Sequence, residues 1–147
     1  MKKALALILI LGIFLTACSP SNSTSGGEGT LTVGDDSSQK SYTVEDLKAL
    51  SPVEAEFNEV TYLGVPVKVL LQNVGIDANS LKAVKAVASD GYSMNYEPAI
   101  FLRDDVLVAY AQADGPLIED DGTFRMVLPG EEGKMNIRFL VEIKAVP

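Results

Sequence analysis

The segment LKAVKAVASDGYSMNY (residues 81–96) separates a helical from a sheet-rich chain. By apolar pattern alone, Leu81 to Ser89 fits either a helix or a strand. Asp90-Gly91 decides between them, because Asp-Gly accepts the positive φ angles of a tight two-residue hairpin turn. Residues 81–89 therefore read as an outgoing strand and Tyr92–Tyr96 as its return, with Tyr92 packed beside the turn. The chain must then contain a sheet that supplies this hairpin with neighbours.

Downstream, PAIFL (98–102) reads as a short helix. Residues 106–112 read as a strand, followed by a turn at Asp114-Gly115 and a short extension. FRMVLPG (124–130) is a strand ended by Pro-Gly, and MNIRFLVEIKAV (135–146) reads as one long terminal strand. Upstream, Val67, Leu70, Leu71 and Val74 recur at helical spacing in PVKVLLQNVG, with Pro66 suited to the first turn and Gly75 to the stop. VEAEFNEV (53–60) alternates through Ala55 and Phe57 as a single strand. Thr43-x-x-Asp46 forms a capping-box start for a helix that Ser51-Pro52 ends. KSYTV (40–44) and TLTV (30–33) read as strands. The expected class is α+β, with β-rich mixed sheets and two or three short helices in one domain over residues 31–147.

The N-terminal segment has a different character. Met1-Lys2-Lys3 precedes an apolar run from Ala4 to Leu15, too short for the roughly 20 residues a membrane-spanning helix needs. A positive start, a short apolar core and small residues describe a secretory signal. Leu15-Thr16-Ala17-Cys18 resembles the lipobox of bacterial lipoproteins. That resemblance implies removal of residues 1–17 and acylation of Cys18, with the bilayer as a partner. Ser19–Thr30, rich in Ser, Asn, Thr and Gly, reads with Cys18 as a flexible tether (18–30). The expected location is the extracytoplasmic face of the cell membrane, or the outer membrane of a two-membrane bacterium.

Composition excludes several functions. The 147 residues carry 12 Lys+Arg against 20 Asp+Glu, one cysteine and no histidine. Without Lys2 and Lys3, ten basic residues face the same 20 acidic ones, a net charge of −10. Such a surface disfavours nucleic acid and an anionic membrane as electrostatic partners. An acylated Cys18 is no longer a nucleophile, a disulfide partner or a metal ligand. There is no Ser-His-Asp set, phosphate loop or nucleotide fingerprint. IEDDG (118–122) and Asp104-Asp105 read as solvated acidic turns, since neither has the spacing of a calcium loop.

Six pieces then follow one another in order: YTVEDLKAL (42–50), YLGVPVKVLLQNVGI (62–76), VASDGYSMNY (87–96), DDVLVAYAQADGPL (104–117), FRMVLPG (124–130) and IRFLVEIK (137–144). This series resembles the oxidoreductase molybdopterin-binding domain of sulfite oxidases and their bacterial relatives, over about 105 residues from Tyr42 onward. The resemblance implies that fold, and a pterin cofactor in full members. It also exposes departures. The segment that carries the family's molybdenum-binding cysteine is SPVEAEFNEVTY (51–62) here, and neither Asn58 nor Glu59 replaces a soft sulfur donor. Where the family tends to place a histidine, EDDGTFR (119–125) offers Asp121. Two cations persist: Arg125 before the Pro-Gly turn, and Arg138 beside Phe139. By resemblance they are the cofactor-binding candidates. The alternative is that both pair with nearby carboxylates such as Asp120, Asp121, Glu131 or Glu132.

The expectation is a membrane-anchored lipoprotein whose domain is a non-catalytic binding or interaction module. It names no catalytic residue, no metal ligand and no required cofactor. Two other readings stay open: an accessory oxidoreductase subunit still holding molybdopterin, and a receptor for a small anionic ligand. An unidentified protein partner is compatible with the first.

Overall fold

The computed structural model describes residues 29–147; the signal and Cys18 lie outside the described residues. Strand β1 (Leu31–Gly34) is fully buried and turns back into β2 (Gln39–Tyr42). The carboxylate of Asp35 accepts the backbone N–H groups of Ser37 and Ser38 at 2.8 and 2.7 Å, which closes that turn. Helix α1 (Val44–Lys48) starts at the predicted capping box: Asp46 N–H donates to Thr43 Oγ1, and Thr43 N–H donates to Asp46 Oδ2.

The next segment departs from expectation. Residues 53–60 are not one strand but a hairpin of β3 (Val53–Phe57) and β4 (Val60–Pro66). Phe57 pairs with Val60 across a two-residue turn, in which Asn58 and Glu59 both have positive φ, 51° and 63°. This conformation normally selects Asn-Gly or Asp-Gly, and Glu59 hides the signal. Pro66 ends β4 and caps α2 (Val67–Val74) rather than sitting within its first turn. Val67, Leu70 and Leu71 are buried on one face of α2, and Gly75 follows its end in the left-handed conformation.

The Asp-Gly hairpin forms between β5 (Ala83–Ala88) and β6 (Ser93–Tyr96), with Val84 opposite Tyr96 and Val87 opposite Ser93, but through a three-residue loop, Ser89–Gly91, in which only Gly91 takes positive φ, 88°. Tyr92 is not packed; it is 45% exposed. Helix α3 (Pro98–Phe101) follows, then β7 (Leu107–Gln112), β8 (Gly115–Pro116), β9 (Arg125–Val127) and β10 (Leu140–Val146). The terminal strand thus begins five residues later than expected. Between β9 and β10 the chain makes a 3₁₀ turn at Gly133–Met135 and a left-handed kink at Phe139, with φ 50°.

The strands form two five-stranded sheets. The first runs β2-β1-β10-β5-β6, and β1 with β10 is its parallel pair. The second runs β3-β4-β7-β8, with β9 also on β7. Side chains of both sheets and α2 share the main core, from Leu31 and Ile143 to Val108, Met126 and Leu71. Because a strand sends alternate side chains to opposite faces, β7 is buried on both: Val108 and Tyr110 enter the main core, while Leu107 and Ala109 enter a smaller cluster. That second cluster includes Ala55, Tyr62 and Val127. Gly64 lies where β4 crosses closest to β7; a Cβ there would meet Val108 O at 2.3 Å. No helix among the described residues is long and apolar enough to cross a membrane.

Candidate functional site

Arg125 opens β9 opposite Ala109 of β7. Val127, two residues on, lies in the second apolar cluster, and strand alternation carries the Arg125 stem to that same face. Its guanidinium carbon lies 4.7 Å from the centre of the Tyr62 ring and 5.8 Å from that of Phe57. Nη1 donates to Asp121 Oδ1 at 2.6 Å and to the Tyr62 hydroxyl at 2.9 Å, and Nε donates to Met126 O at 3.3 Å. The side chains of Arg125 and Asp121 are only 4% and 1% exposed. Two charges withdrawn from water lose hydration worth several kcal/mol each, which their attraction offsets only in good geometry. The short Nη1–Oδ1 contact and the two aromatic faces supply it.

Asp121 reaches this position through a 3₁₀ turn, Glu119–Asp121, ended by Gly122 at φ 77° and ψ −161°. Left-handed φ with extended ψ is open essentially to glycine alone. A Cβ on Gly122 would also stand 2.7 Å from Phe139 Cδ1. The backbone of Asp121 is tied in as well: Phe139 N–H donates to Asp121 O at 2.9 Å. The acidic turn is therefore not wholly solvated. Asp120 and Glu119 face outward, but Asp121 is buried. Its second oxygen, Oδ2, is buried without a hydrogen-bond partner.

Arg138 stands at the mouth of this pair. Its Nε is 3.6 Å from Asp121 Oδ1, and its side chain is 59% exposed. Asp121 thus brings Arg125 and Arg138 together, one inside and one at the surface. The other carboxylates weighed from sequence go elsewhere. Glu131 and Asp105 both bind Arg103, Glu132 binds Lys134, and Asp104 binds Lys68. Asn58 and Glu59 occupy the tip of the β3–β4 hairpin.

Phe139 separates two depressions beside Arg138. One, of about 470 Å³, is lined by Thr30, Ser89, Glu119, Gly122 and Phe139. The other, of about 370 Å³, is lined by Asp90, Tyr92, Lys134, Arg138 and Phe139. The floor of the second is held by Asn136, whose Oδ1 accepts Leu128 N–H at 2.7 Å and whose Nδ2 donates to Glu132 O at 3.2 Å. The hydroxyls of Tyr92 and Tyr96 donate to Lys134 O and Met135 O, at 3.1 and 2.6 Å. Burial pushes the Tyr62 hydroxyl above its usual pKa, with the Arg125 cation opposing. Tyr62, Phe57 and Asn136 carry no sequence signal of these roles. Tyr62 is 63 residues from the arginine it holds.

The donor chemistry can be tested against a molybdenum–pterin group. No described residue is a cysteine or histidine, and no cluster of three Asp or Glu side chains forms among them. Arg125 has its charge met by Asp121 inside the fold, so of the two candidates only Arg138 presents a guanidinium to the surface. These residues do not fit a metal held by a thiolate and a phosphate held by two free cations.

The fold itself has relatives. No curated protein matches the chain. Among solved structures, it is similar to the crystal structure of the sulfane dehydrogenase SoxCD from Paracoccus pantotrophus, with a TM-score of 0.68 and 20% identity. The match covers 80% of this chain and 38% of that one, a likeness of fold with a much longer protein. Residues 39–147 also match the family described as the oxidoreductase molybdopterin binding domain. With a match over most of its length, on a fold of one mixed and one antiparallel sheet that the solved relative resembles, this chain belongs to the oxidoreductase molybdopterin-binding domain family.

Proposed function

We propose that the chain is a lipid-anchored extracytoplasmic protein in which the molybdopterin-binding fold serves as a non-catalytic binding or interaction module. One observation carries this reading: Arg125 is neutralised internally by Asp121 at 2.6 Å, in a domain without a thiol or imidazole. By resemblance, the family's metal is held by a cysteine thiolate, and a hard carboxylate in its place would not leave the metal chemistry unchanged. Cys18 is the sole thiol, and it follows the apolar run that reads as a lipoprotein signal. Acylation there holds the domain to a bilayer by burying chain methylenes, each contributing about 0.8 kcal/mol.

Elemental analysis and native mass spectrometry of the acylated protein test the reading. The expected result is a mass accounted for by polypeptide and lipid, with no stoichiometric molybdenum and no pterin released on acid treatment. Stoichiometric molybdenum or a releasable pterin overturns it in favour of an accessory oxidoreductase subunit.

A further inference from the structure

We propose that the surface around Phe139, Tyr92 and Ile118 rests on the lipid bilayer, with its rings at the level of the headgroups. This rests on the Cys18 anchor proposed above. Phe139 is 46% exposed, and Ile118 and Tyr92 are comparably bare. Phe139 is not frayed outward. Its N–H donates to Asp121 O and its carbonyl accepts Ser89 N–H, both at 2.9 Å. Its φ of 50° is a strained conformation for a bulky residue, and the ring lies against Gly122, where no side chain would fit. The fold thus holds an aromatic ring rigidly in an exposed position. Phe139 and Tyr92 wall the same depression, beside the cations Arg138 and Lys134. Ile118 accepts the N–H of Asp121, whose own carbonyl holds Phe139.

The bilayer is the occupant because of where the chain leaves the domain. Gly29, the first described residue, lines the cleft against Phe139. Ten residues, 19–28, lie between Cys18 and Gly29, and a Ser/Gly-rich chain of that length spans roughly 16–19 Å on average. A domain of this size has a radius of gyration of roughly 13 Å and is roughly 35 Å across. A tether whose average span is shorter than the domain's width favours orientations that turn the exit face, rather than the opposite end, toward the membrane. Lys82 marks that opposite end, since its N–H donates to Val146 O beyond the start of β5. With about 3.3 Å of rise per strand residue, it sits roughly 20 Å along the sheet from Ala88. Aromatic rings favour the membrane interface, and long basic side chains beside them reach phosphate headgroups. Glu119 and Asp90 line the same depressions and offset the cations there, so the contact rests on the exposed rings rather than on attraction to anionic headgroups.

The chain has no tryptophan, so single reporters can be placed. Acylated full-length F139W and K82W are reconstituted separately in phosphatidylcholine vesicles containing spin-labelled phosphatidylcholine. Flotation of the vesicles is scored alongside Trp emission. The expected result is co-flotation of both variants, a blue shift and at least two-fold quenching of F139W, and unchanged emission from K82W. Y92W serves as a second reporter on the same wall, so the test survives misfolding of F139W. Co-flotation without quenching at residues 139 and 92 overturns the docking face and leaves the anchor intact. Failure to float overturns both. A blue shift that depends on protein concentration and not on lipid assigns the face to a second copy of the chain and overturns the proposal.

Discussion

The guanidinium of Arg125 lies 2.6 Å from the carboxylate of Asp121, four residues earlier, and both are sealed from water between two aromatic rings and the turn that delivers them. Removing either partner strands the other charge, at a cost of about 3–5 kcal/mol. Asp121→Ala and Arg125→Ala are each expected to lower the stability measured by urea unfolding by that amount. The double variant Asp121→Leu/Arg125→Met is expected to recover most of it. Loss in the double variant equal to the sum of the singles contradicts this account.

Gly122 supports a conformation and a close contact at once. Gly122→Ala places a methyl 2.7 Å from the Phe139 ring on a backbone at φ 77°. The expected loss is about 1–3 kcal/mol from backbone strain, with a matching fall in Tm. Gly133→Ala is the control, because its Cβ would meet nothing within 4 Å and its φ is not positive. Equal Tm values for the two variants contradict the role given to Gly122.

Asn136 replaces a missing strand partner for Leu128. Asn136→Ala leaves the buried Leu128 N–H without its acceptor, an expected cost of about 1–3 kcal/mol. Amide hydrogen exchange at Leu128 is expected to accelerate in the variant, while that of Ile143 in the main sheet follows global stability only.

Asp105 contributes to the acid-side pH dependence, beside Asp35 and Asp46, whose carboxyls are also held low by hydrogen bonds from Ser37 and Thr43. The two hydrogen bonds from Arg103, with that cation's charge, hold the Asp105 carboxyl below its usual value. A depressed folded pKa means that the stabilisation is present above the unfolded value, about 3.9, and is lost as pH falls through the folded one. Thermal unfolding scanned downward from pH 6 is expected to show a falling Tm below about pH 4. Asp105→Asn is expected to flatten that limb in part. An unchanged acid limb in the variant rules out this pair as a contributor.

How legible the molecule was from its residues depended on the range of the interactions involved. The Thr43–Asp46 capping box, the α2 face and the Asp90-Gly91 hairpin were readable because each is settled within a few residues by side-chain reach or permitted backbone angles. The Asn58-Glu59 turn was not, since Glu59 is forced into positive φ by the pairing of β3 with β4 and shows no local preference for it. The terminal strand was overextended for a similar reason. Apolar alternation continues through residues 135–139, but Asn136, bonded to Leu128, and the kink at Phe139 break the ladder there.

By itself the sequence determined the α+β class, the single thiol at Cys18, the absence of histidine and the identity of the two arginines, all properties of composition or of short windows. Only the tertiary structure decided that Asp121 is buried, that it meets Arg125 internally while leaving Arg138 at the surface, and that Tyr62 closes the set. Those outcomes depend on which strands lie side by side. Sheet pairing brings Tyr62 to Arg125 across 63 positions, and no short window of sequence contains both.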